Sequence, residues 1–350
     1  MALPRLTIAL LLLCSLEAPA ARSQAASEIA EDERIVLFPT SASWEGDVWR
    51  VPIHGWVFEP EEGDLARRPT IALFRGILGL VDDDPVSEIF ERRLRGFLVD
   101  NERGKRVGLK VGDLNQTLSA SGPDGHFDDV LELQAGASWL TLTAAASGDS
   151  QTFEGRVRLL EPEGLTILSD IDDTVKVSNV RDRQSLLRNT FLRDFEAVPG
   201  MAARYNEWHS DRGAHVHFVS SSPWQLYEEL SEFLRREDFP ESTLSLKHVR
   251  LKDSSALNLL DDPLEAKTST IEAFIRRFPD REFVLVGDSG EMDPEVYGEI
   301  ARRHPGRVLR IFIRDVSGED PGAARYRAAF EGVPERKWEL FDDGSTLTLP

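Results

Sequence analysis

The half of the chain after residue 164 alternates short apolar runs with stretches of helical character. Four runs have the length of buried strands, and they cover residues 165–168, 215–220, 283–286 and 308–313. Helical patterns occupy residues 183–195, 199–209, 224–235, 264–277 and 294–304. Strands that alternate with helices predict a largely parallel sheet with helices on both faces. We therefore expect an α/β domain with a Rossmann-like parallel sheet over residues 161–350.

The preceding part of the chain has a different pattern. Residues 47–58 place apolar side chains at every second position, which is typical of a half-buried strand. Further strands are predicted at residues 129–135, 139–145 and 151–160, and residues 70–80 and 86–97 have helical character. We expect a smaller β-rich, sandwich-like domain at residues 30–160 with a helical insertion. Residues 161–164 have the composition of a linker.

The first 25 residues have the composition of a signal peptide. Arg5 precedes an apolar stretch at residues 6–16, and small residues suited to cleavage lie between Ala20 and Ala25. Cys14 is the only cysteine and would be removed with this segment, so the mature chain would hold no disulfide and no cysteine nucleophile. We expect an exported protein, periplasmic or secreted.

The charge balance argues against a nucleic-acid partner. The chain has a formal net charge of -20, whereas a protein that binds nucleic acid has to neutralise phosphates with basic residues.

Carboxylates follow the first apolar run of the α/β half directly. Asp170 and Asp172 are two positions apart, so on an extended chain they point the same way and lie within about 7 Å. Asp170 has the position of a nucleophile, because open α/β sheets place their chemistry just beyond the carboxyl ends of the strands. Asp172 is placed to act as general acid and then as general base. Two like charges at about 4 Å repel by roughly 4 kcal/mol at an effective dielectric of about 20, so this pair predicts a bound cation.

Two other strand ends carry compatible groups. Ser220 and Ser221 follow one apolar run, and with Thr174 they are predicted to bind phosphate oxygens. Asp288 and Asp293 follow another run. Asp288 can reach a metal beside Asp170, and Asp293, counted with the metal site, can steady the loop or the metal's waters. Mg²⁺ suits such a set because it binds few carboxylates and keeps waters. Lys267, at the start of an intervening helix, is predicted to neutralise the nucleophile and the phosphate.

The order of these elements resembles the haloacid dehalogenase superfamily of phosphatases. More narrowly, residues 165–316 resemble the catalytic domain of the actin-patch-protein type of phosphatidate phosphatases. The motifs that carry this resemblance are SDIDDTVK at 169–176, LRNTF at 187–191, VPGM at 198–201, VSSSPWQLY at 219–227, GDSG at 287–290, DPEVY at 293–297 and IFIRDV at 311–316.

The resemblance implies a phosphatase that forms an aspartyl-phosphate intermediate. It implies Mg²⁺ held by the Asp170 carboxylate, the Asp172 backbone carbonyl and Asp288. It also implies a phosphorylated lipid such as phosphatidate as substrate class, while a small soluble phosphoester and peripheral contact with a membrane stay open.

Three alternatives remain at this stage. In the first alternative, the chain is a noncatalytic cation-binding or partner-binding module of the cell envelope, and the carboxylates serve only as its cation site. The sequence around Ser289 superficially matches a serine-hydrolase motif, although Glu291 stands where a further glycine is expected. His215 and His217 lie on one face of a predicted strand and would form a metal pair, but core histidines are commoner.

Overall fold

The computed structural model describes residues 25–61, 64–80, 87–145, 151–249 and 264–350 as an α/β protein with two sheets. The predicted signal peptide at residues 1–25 lies outside the described residues except for Ala25. Among the described residues, no helix is both long and apolar enough to cross a membrane.

The first sheet contains nine strands from the N-terminal half. These are β1 Arg34–Phe38, β2 Thr40–Glu45, β3 Val48–Pro60, β4 Val99–Asn101, β5 Arg106–Val111, β6 Leu114–Ala120, β7 His126–Leu133, β8 Trp139–Ala145 and β9 Thr152–Leu160. The strand order is β1-β3-β2-β9-β8-β5-β6, and β4 and β7 also pair with β3. Most pairs are antiparallel, whereas β2 and β9 are parallel. The strands thus form one mixed sheet, and the sandwich-like arrangement stays a prediction.

The second sheet is entirely parallel, as the strand-helix alternation predicts. Its strands are β10 Leu165–Ser169, β11 His215–Pro223, β12 Ser242–Lys247, β13 Glu282–Asp288, β14 Val308–Arg314 and β15 Trp338–Phe341. Their order is β12-β11-β10-β13-β14-β15, so β10 lies between β11 and β13. Ser169 pairs with Phe218 on one side and with Val286 on the other. The segments that follow these three strands therefore meet at one edge of the sheet.

Eight α-helices accompany the sheets in the described part of the chain. They are α1 Asp64–Leu78, α2 Glu88–Leu94, α3 Arg183–Phe191, α4 Met201–Arg212, α5 Tyr227–Arg236, α6 Leu264–Arg277, α7 Asp293–Arg303 and α8 Ala324–Ala329. The first two correspond to the predicted helical insertion.

The helical insertion packs against the α/β half. Phe74 of α1 and Phe191 of α3 are both buried, and their ring centroids are 5.0 Å apart. The buried Arg93 of α2 forms an ion pair with Glu229 of α5 and places its guanidinium 3.4 Å from the ring centre of Phe195. One hydrophobic cluster therefore contains residues of both halves. The insertion joins the two sheets through burial of apolar surface.

The linker at residues 161–164 is held by one buried arginine. Arg281 donates hydrogen bonds to the backbone carbonyls of Glu161, Glu163 and Leu165 and to the hydroxyl of Thr166. Gly164 has φ of 119°, a conformation that a residue with a Cβ rarely adopts. The entry into β10, and hence the position of Asp170, is fixed by these contacts.

Candidate active site

Three buried carboxylates meet at the carboxyl edge of the parallel sheet. Asp170 follows β10 directly, and its backbone N–H donates to the carbonyl of Val286 on β13 at 2.9 Å. Asp288 is the last residue of β13, and Asp293 is the first residue of α7. One carboxylate oxygen from each of the three residues lies within 4.8 Å of one from each of the others. The structure thus brings together three of the predicted site residues that are distant in sequence.

Lys267 places its ammonium group among these carboxylates. It lies in the first turn of α6, and its Nζ is 3.0 Å from Oδ1 of Asp170 and 2.5 Å from Oδ1 of Asp293. The carboxylate of Glu291 is 3.7 Å away. The side chains of Lys267, Asp170 and Asp293 are all nearly inaccessible to solvent, so their charges are weakly screened. The predicted pairing of Lys267 with Asp170 is present.

The electrostatics of this cluster follow from burial and from the excess of acids. Burial raises the pKa of Asp170 well above its usual range, and Asp293 and Asp288 raise it further, while Lys267 opposes the shift. Burial and the neighbouring Asp293 likewise raise the pKa of Asp288. For Lys267, burial alone would lower the pKa, but Asp170 and Asp293 outweigh it and the pKa is raised. Additional positive charge would therefore stabilise the ionised carboxylates.

The loop from β13 to α7 binds one carboxylate oxygen of Asp288, Oδ1. Its Oδ1 accepts hydrogen bonds from the backbone N–H groups of Gly290 at 2.5 Å and Glu291 at 3.1 Å, and its own N–H donates to Oδ2 of Asp293 at 3.1 Å. A Cβ at Gly287 would lie only 2.1 Å from Oδ2 of Asp293. The glycine therefore allows Asp293 to approach the strand end.

Two of the carboxylate oxygens are suited to bind a cation. Within the described residues, Oδ2 of Asp170 and Oδ2 of Asp288 are buried and have no hydrogen-bond partner. A buried carboxylate oxygen without a partner is costly, and a divalent ion can offset that cost. Hard oxygen ligands suit Mg²⁺. The residues present thus fit the predicted magnesium ion.

Asp172 belongs to a second, separate group of polar side chains. Its Oδ1 is 2.6 Å from Nζ of Lys176 and accepts a hydrogen bond from the hydroxyl of Ser178 at 2.6 Å. Its Oδ2 accepts one from the hydroxyl of Ser222 at 2.9 Å. Burial opposes ionisation of Asp172, but Lys176 and the two hydroxyls outweigh it and lower its pKa. The Asp172 carboxylate is therefore satisfied by the protein itself, whereas Asp170 and Asp288 each have one oxygen without a hydrogen-bond partner within the described residues.

A tight turn brings Lys176 back to Asp172. Asp173 adopts φ of 53°, which aspartate tolerates better than most residues. Its carboxylate accepts hydrogen bonds from the backbone N–H groups of Ser178 at 2.8 Å, Asn179 at 3.0 Å and Val180 at 2.6 Å. The roles of Lys176, Ser178 and Ser222 were not predicted from the sequence, although a lysine four positions after the aspartate was a visible signal.

The hydroxyls predicted to bind phosphate have mixed surroundings. Ser220 is buried, and its Oγ accepts a hydrogen bond from the backbone N–H of Ser222 at 3.0 Å. Ser221 is partly exposed next to it. The Oγ1 of Thr174 is buried and has no partner among the described residues. Their role in phosphate binding stays a prediction.

Ser289 and the histidines of β11 have local structural partners. The Ser289 hydroxyl accepts hydrogen bonds from the backbone N–H groups of Val316 and Ser317, both at 2.9 Å. His215 and His217 are hydrogen-bonded to the hydroxyl of Thr243 on β12, at 2.9 and 2.7 Å. Burial lowers the pKa of His217 to about 3, so its imidazole is neutral. These contacts favour structural roles for all three side chains.

The part of the chain that contains this site is similar to known proteins. The family model of the catalytic domain of phosphatidate phosphatase APP1 matches residues 165–315. An uncharacterized protein of Schizosaccharomyces pombe is 34% identical over 179 residues, which are 50% of this chain and 29% of that protein. Phosphatidate phosphatase APP1 of Saccharomyces cerevisiae is 33% identical over 168 residues, which are 47% of this chain and 28% of that protein.

The chain spans less than a third of the length of these two relatives. The match nevertheless contains all the carboxylates described above, together with Lys267 and the serines at the end of β11. The resemblance predicted for residues 165–316 is thereby confirmed. Residues 165–315 of the chain are thus similar to the phosphatidate phosphatase APP1 catalytic domain.

Proposed function

We propose that this chain is a phosphatase that hydrolyses a phosphomonoester through an aspartyl-phosphate intermediate on Asp170. The substrate class that its family supports is a phosphorylated lipid such as phosphatidate. One observation carries the proposal. The buried carboxylate of Asp170 has one oxygen paired with Lys267 and the other without a partner in the described chain, at the edge of a parallel sheet.

In the first step, an oxygen of Asp170 attacks the phosphorus of the ester. The bond between phosphorus and the alcohol oxygen breaks as the new bond to the carboxylate forms. Asp172 donates a proton to the leaving oxygen, which departs as the alcohol. Lys267 contributes a fixed positive charge near Asp170 and near the phosphoryl oxygens.

In the second step, Asp172 acts as the general base. It takes a proton from a water molecule that attacks the phosphorus, the bond to the Asp170 oxygen breaks, and inorganic phosphate is released. Lys176, Ser178 and Ser222 stabilise the ionised form that this step requires. A phosphate group next to Asp172 adds negative charge and raises its pKa, which favours the protonated form required in the first step.

The metal requirement is part of the same proposal. Asp170, Asp288 and Asp293, with the backbone carbonyl of Asp172, would hold Mg²⁺. When bound, the ion would neutralise negative charge on the phosphate and on the three carboxylates. The two partnerless oxygens of Asp170 and Asp288 support this assignment.

Two further features of the chain support the proposed fold and location. The six parallel strands, with the nucleophile after a central one, support a haloacid dehalogenase-like catalytic domain. The basic, apolar and small-residue pattern of residues 1–25 supports export. Peripheral contact with a membrane would give the site access to a lipid substrate.

The test is a phosphate-release assay on the purified chain. Phosphatidate, lysophosphatidate, diacylglycerol pyrophosphate and small soluble phosphates are compared side by side, each with Mg²⁺ and with excess EDTA. We expect Mg²⁺-dependent release from at least one lipid phosphate. Full activity in EDTA would refute the metal requirement, and turnover of soluble esters alone would refute the lipid assignment. No release from any substrate would favour the noncatalytic cation-binding module.

A further inference from the structure

Three histidines of the described residues, whose side chains are of a type that can bind a metal, lie together where the two sheets meet. His54 is in β3 and His126 begins β7, both in the mixed sheet, whereas His248 follows β12 of the parallel sheet. None of the three belongs to the carboxylate cluster or contacts the polar group around Asp172 through a described hydrogen bond. The proposed phosphatase reaction does not use them.

Strand pairing places two of these imidazoles and a carboxylate on one face of the mixed sheet. In the register of β3 and β7, His54 lies opposite Asp128 and Trp56 lies opposite His126. His126 and Asp128 are two residues apart on one strand, so they face the same side. The Nε2 atom of His54 is 3.1 Å from Nδ1 of His126. The sheet thus holds His54 and His126 together before any ligand arrives.

His248 approaches this pair from the other sheet. Its ring centre is 4.6 Å from that of His126 and 5.4 Å from that of His54. One ring nitrogen from each of the three histidines lies within 4.8 Å of one from each of the others. Two nitrogens bound to the same zinc ion at tetrahedral angles lie about 3.3 Å apart. The separation of 3.1 Å between His54 and His126 already matches this value.

The surroundings combine an apolar enclosure with a route from solvent. The ring of Trp56 is stacked on His126 at 5.4 Å, and Phe38 and Trp224 both lie 4.6 Å from His54. A cavity of 680 Å³ is lined by His54, Asp128 and His248, among others. His248 itself is exposed. Imidazole ligands in an apolar enclosure suit zinc and related transition metals rather than Mg²⁺.

We propose that His54, His126 and His248 form a binding site for Zn²⁺ or a similar divalent transition metal ion. The fourth position would be occupied by water or by the carboxylate of Asp128. Because two ligands come from the mixed sheet and the third from the segment that follows β12, the bound ion would link these two parts of the chain. The alternative is a neutral histidine pair that is held by its own hydrogen bond and stacking contacts, and the experiment distinguishes the two.

The test titrates Co²⁺, a spectroscopic substitute for Zn²⁺, into the full chain after metal has been removed with a chelator. An excess of Mg²⁺ is present to occupy the carboxylate site, and the titration is repeated in Asp288→Asn, which weakens that site. We expect one equivalent of Co²⁺ to bind with the intense visible absorption of a tetrahedral nitrogen-rich site. One equivalent of Zn²⁺ should displace it, as measured by metal analysis after gel filtration.

The key variant is His248→Ala, because this side chain is exposed and its loss leaves the core intact. We expect its affinity for Co²⁺ and Zn²⁺ to fall by about 100-fold or more, and Zn²⁺ should raise the melting temperature of the parent but not of the variant. His126→Gln provides a second variant that removes one ligand from the buried pair.

His209→Ala is the matched control, because it removes an exposed histidine from α4 and should leave binding unchanged. Absence of a tetrahedral Co²⁺ spectrum in the parent, or equal affinity in parent and His248→Ala, would overturn the proposal. Loss of the spectrum in Asp288→Asn would also overturn it, since the ion would then belong to the carboxylate site.

Discussion

Asp170 and Asp172 are two residues apart and both are buried, yet their surroundings differ in charge balance. The Asp170 side contains three clustered carboxylates, Lys267 and two oxygens that have no hydrogen-bond partner in the described part of the chain. The Asp172 side pairs one carboxylate with Lys176 and two hydroxyls. The pKa of Asp170 is raised by burial and by its acidic neighbours, whereas that of Asp172 is lowered. Identical side chains thus acquire different properties from their partners.

The comparison indicates which of the two groups, around Asp170 or around Asp172, is suited to bind a ligand. An excess of negative charge with unused oxygens is unfavourable in the protein alone, and it becomes favourable when a cation binds. The Asp172 group is complete without a ligand, so it can hold a proton-transfer residue in one position. This difference supports the proposed roles, which are metal binding and nucleophilic attack for the Asp170 group and acid-base catalysis for the Asp172 group.

The largest effect is expected for Asp170→Asn. The amide cannot attack phosphorus, so we expect kcat to fall by about 10⁴-fold or more. The variant also removes one charge from the crowded cluster, so the metal-free protein should be at least as stable as the parent. Phosphate release and urea unfolding in EDTA measure the two effects. Measurable turnover at near-parent rates would refute Asp170 as the nucleophile.

A smaller loss of activity, with a loss of stability, is expected for Asp172→Asn. Removal of a general acid and base lowers the rate by about 10²- to 10⁴-fold. The substitution also leaves Lys176 without its buried counter-charge, so the free energy of unfolding should fall, in contrast to Asp170→Asn. A substrate with a good leaving group should be less affected in the first step. Equal rate losses and equal stabilities for the two Asn variants would contradict the division into two groups.

Much of the carboxylate site could be predicted from the sequence, because its residues follow apolar strands. Parallel strands bring their carboxyl ends to one edge, so Asp170 and Asp288 converge once the strand order is right. The strand β12 was not predicted, because Ser242–Lys247 contains only two apolar residues, Leu244 and Leu246, and so lacks the continuous apolar run that identifies the strands further inside the sheet. The strand β15 forms the opposite edge of this sheet.

The polar group around Asp172 was harder to predict, because it depends on backbone geometry. Lys176 reaches Asp172 only because Asp173 adopts a positive φ and binds three backbone N–H groups. The histidine cluster depends on the register of β3 against β7 and on the contact between the two sheets. Neither arrangement follows from hydrophobic periodicity, which fixes the face of a residue but not its partner across a turn or an interface.

Lys176 and Lys267 can be compared by the effect of Mg²⁺ on the stability of variants that lack each of them. Loss of one partner of a buried ion pair costs about 3–5 kcal/mol, so Lys176→Met and Lys267→Met should both be less stable than the parent without metal. Mg²⁺ can replace the positive charge of Lys267 among the three carboxylates, whereas the Asp172 side chain lies outside that cluster. We therefore expect 10 mM Mg²⁺, a concentration above the dissociation constants of roughly 10⁻³ M or less that are typical of hard-cation sites, to restore much of the stability of Lys267→Met only. If Mg²⁺ restored the thermal stability of both variants equally, the distinction between the Asp170 and Asp172 groups would be contradicted.

The smallest effect is expected for Ser222→Ala, which removes one hydroxyl from Asp172. A hydrogen bond to a charged group contributes about 1.5–3 kcal/mol, and Lys176 and Ser178 still hold the carboxylate in place. We expect a loss of stability in that range and a rate reduced by roughly tenfold, smaller than for Asp172→Asn. Ser210→Ala is the control, because its exposed hydroxyl lies on α4 and bonds only to neighbours within or next to its own turn. A loss of activity as large as that of Asp172→Asn would instead place Ser222 in direct contact with the phosphate, and the Asp172 group would then be a binding element as well as a source of protons.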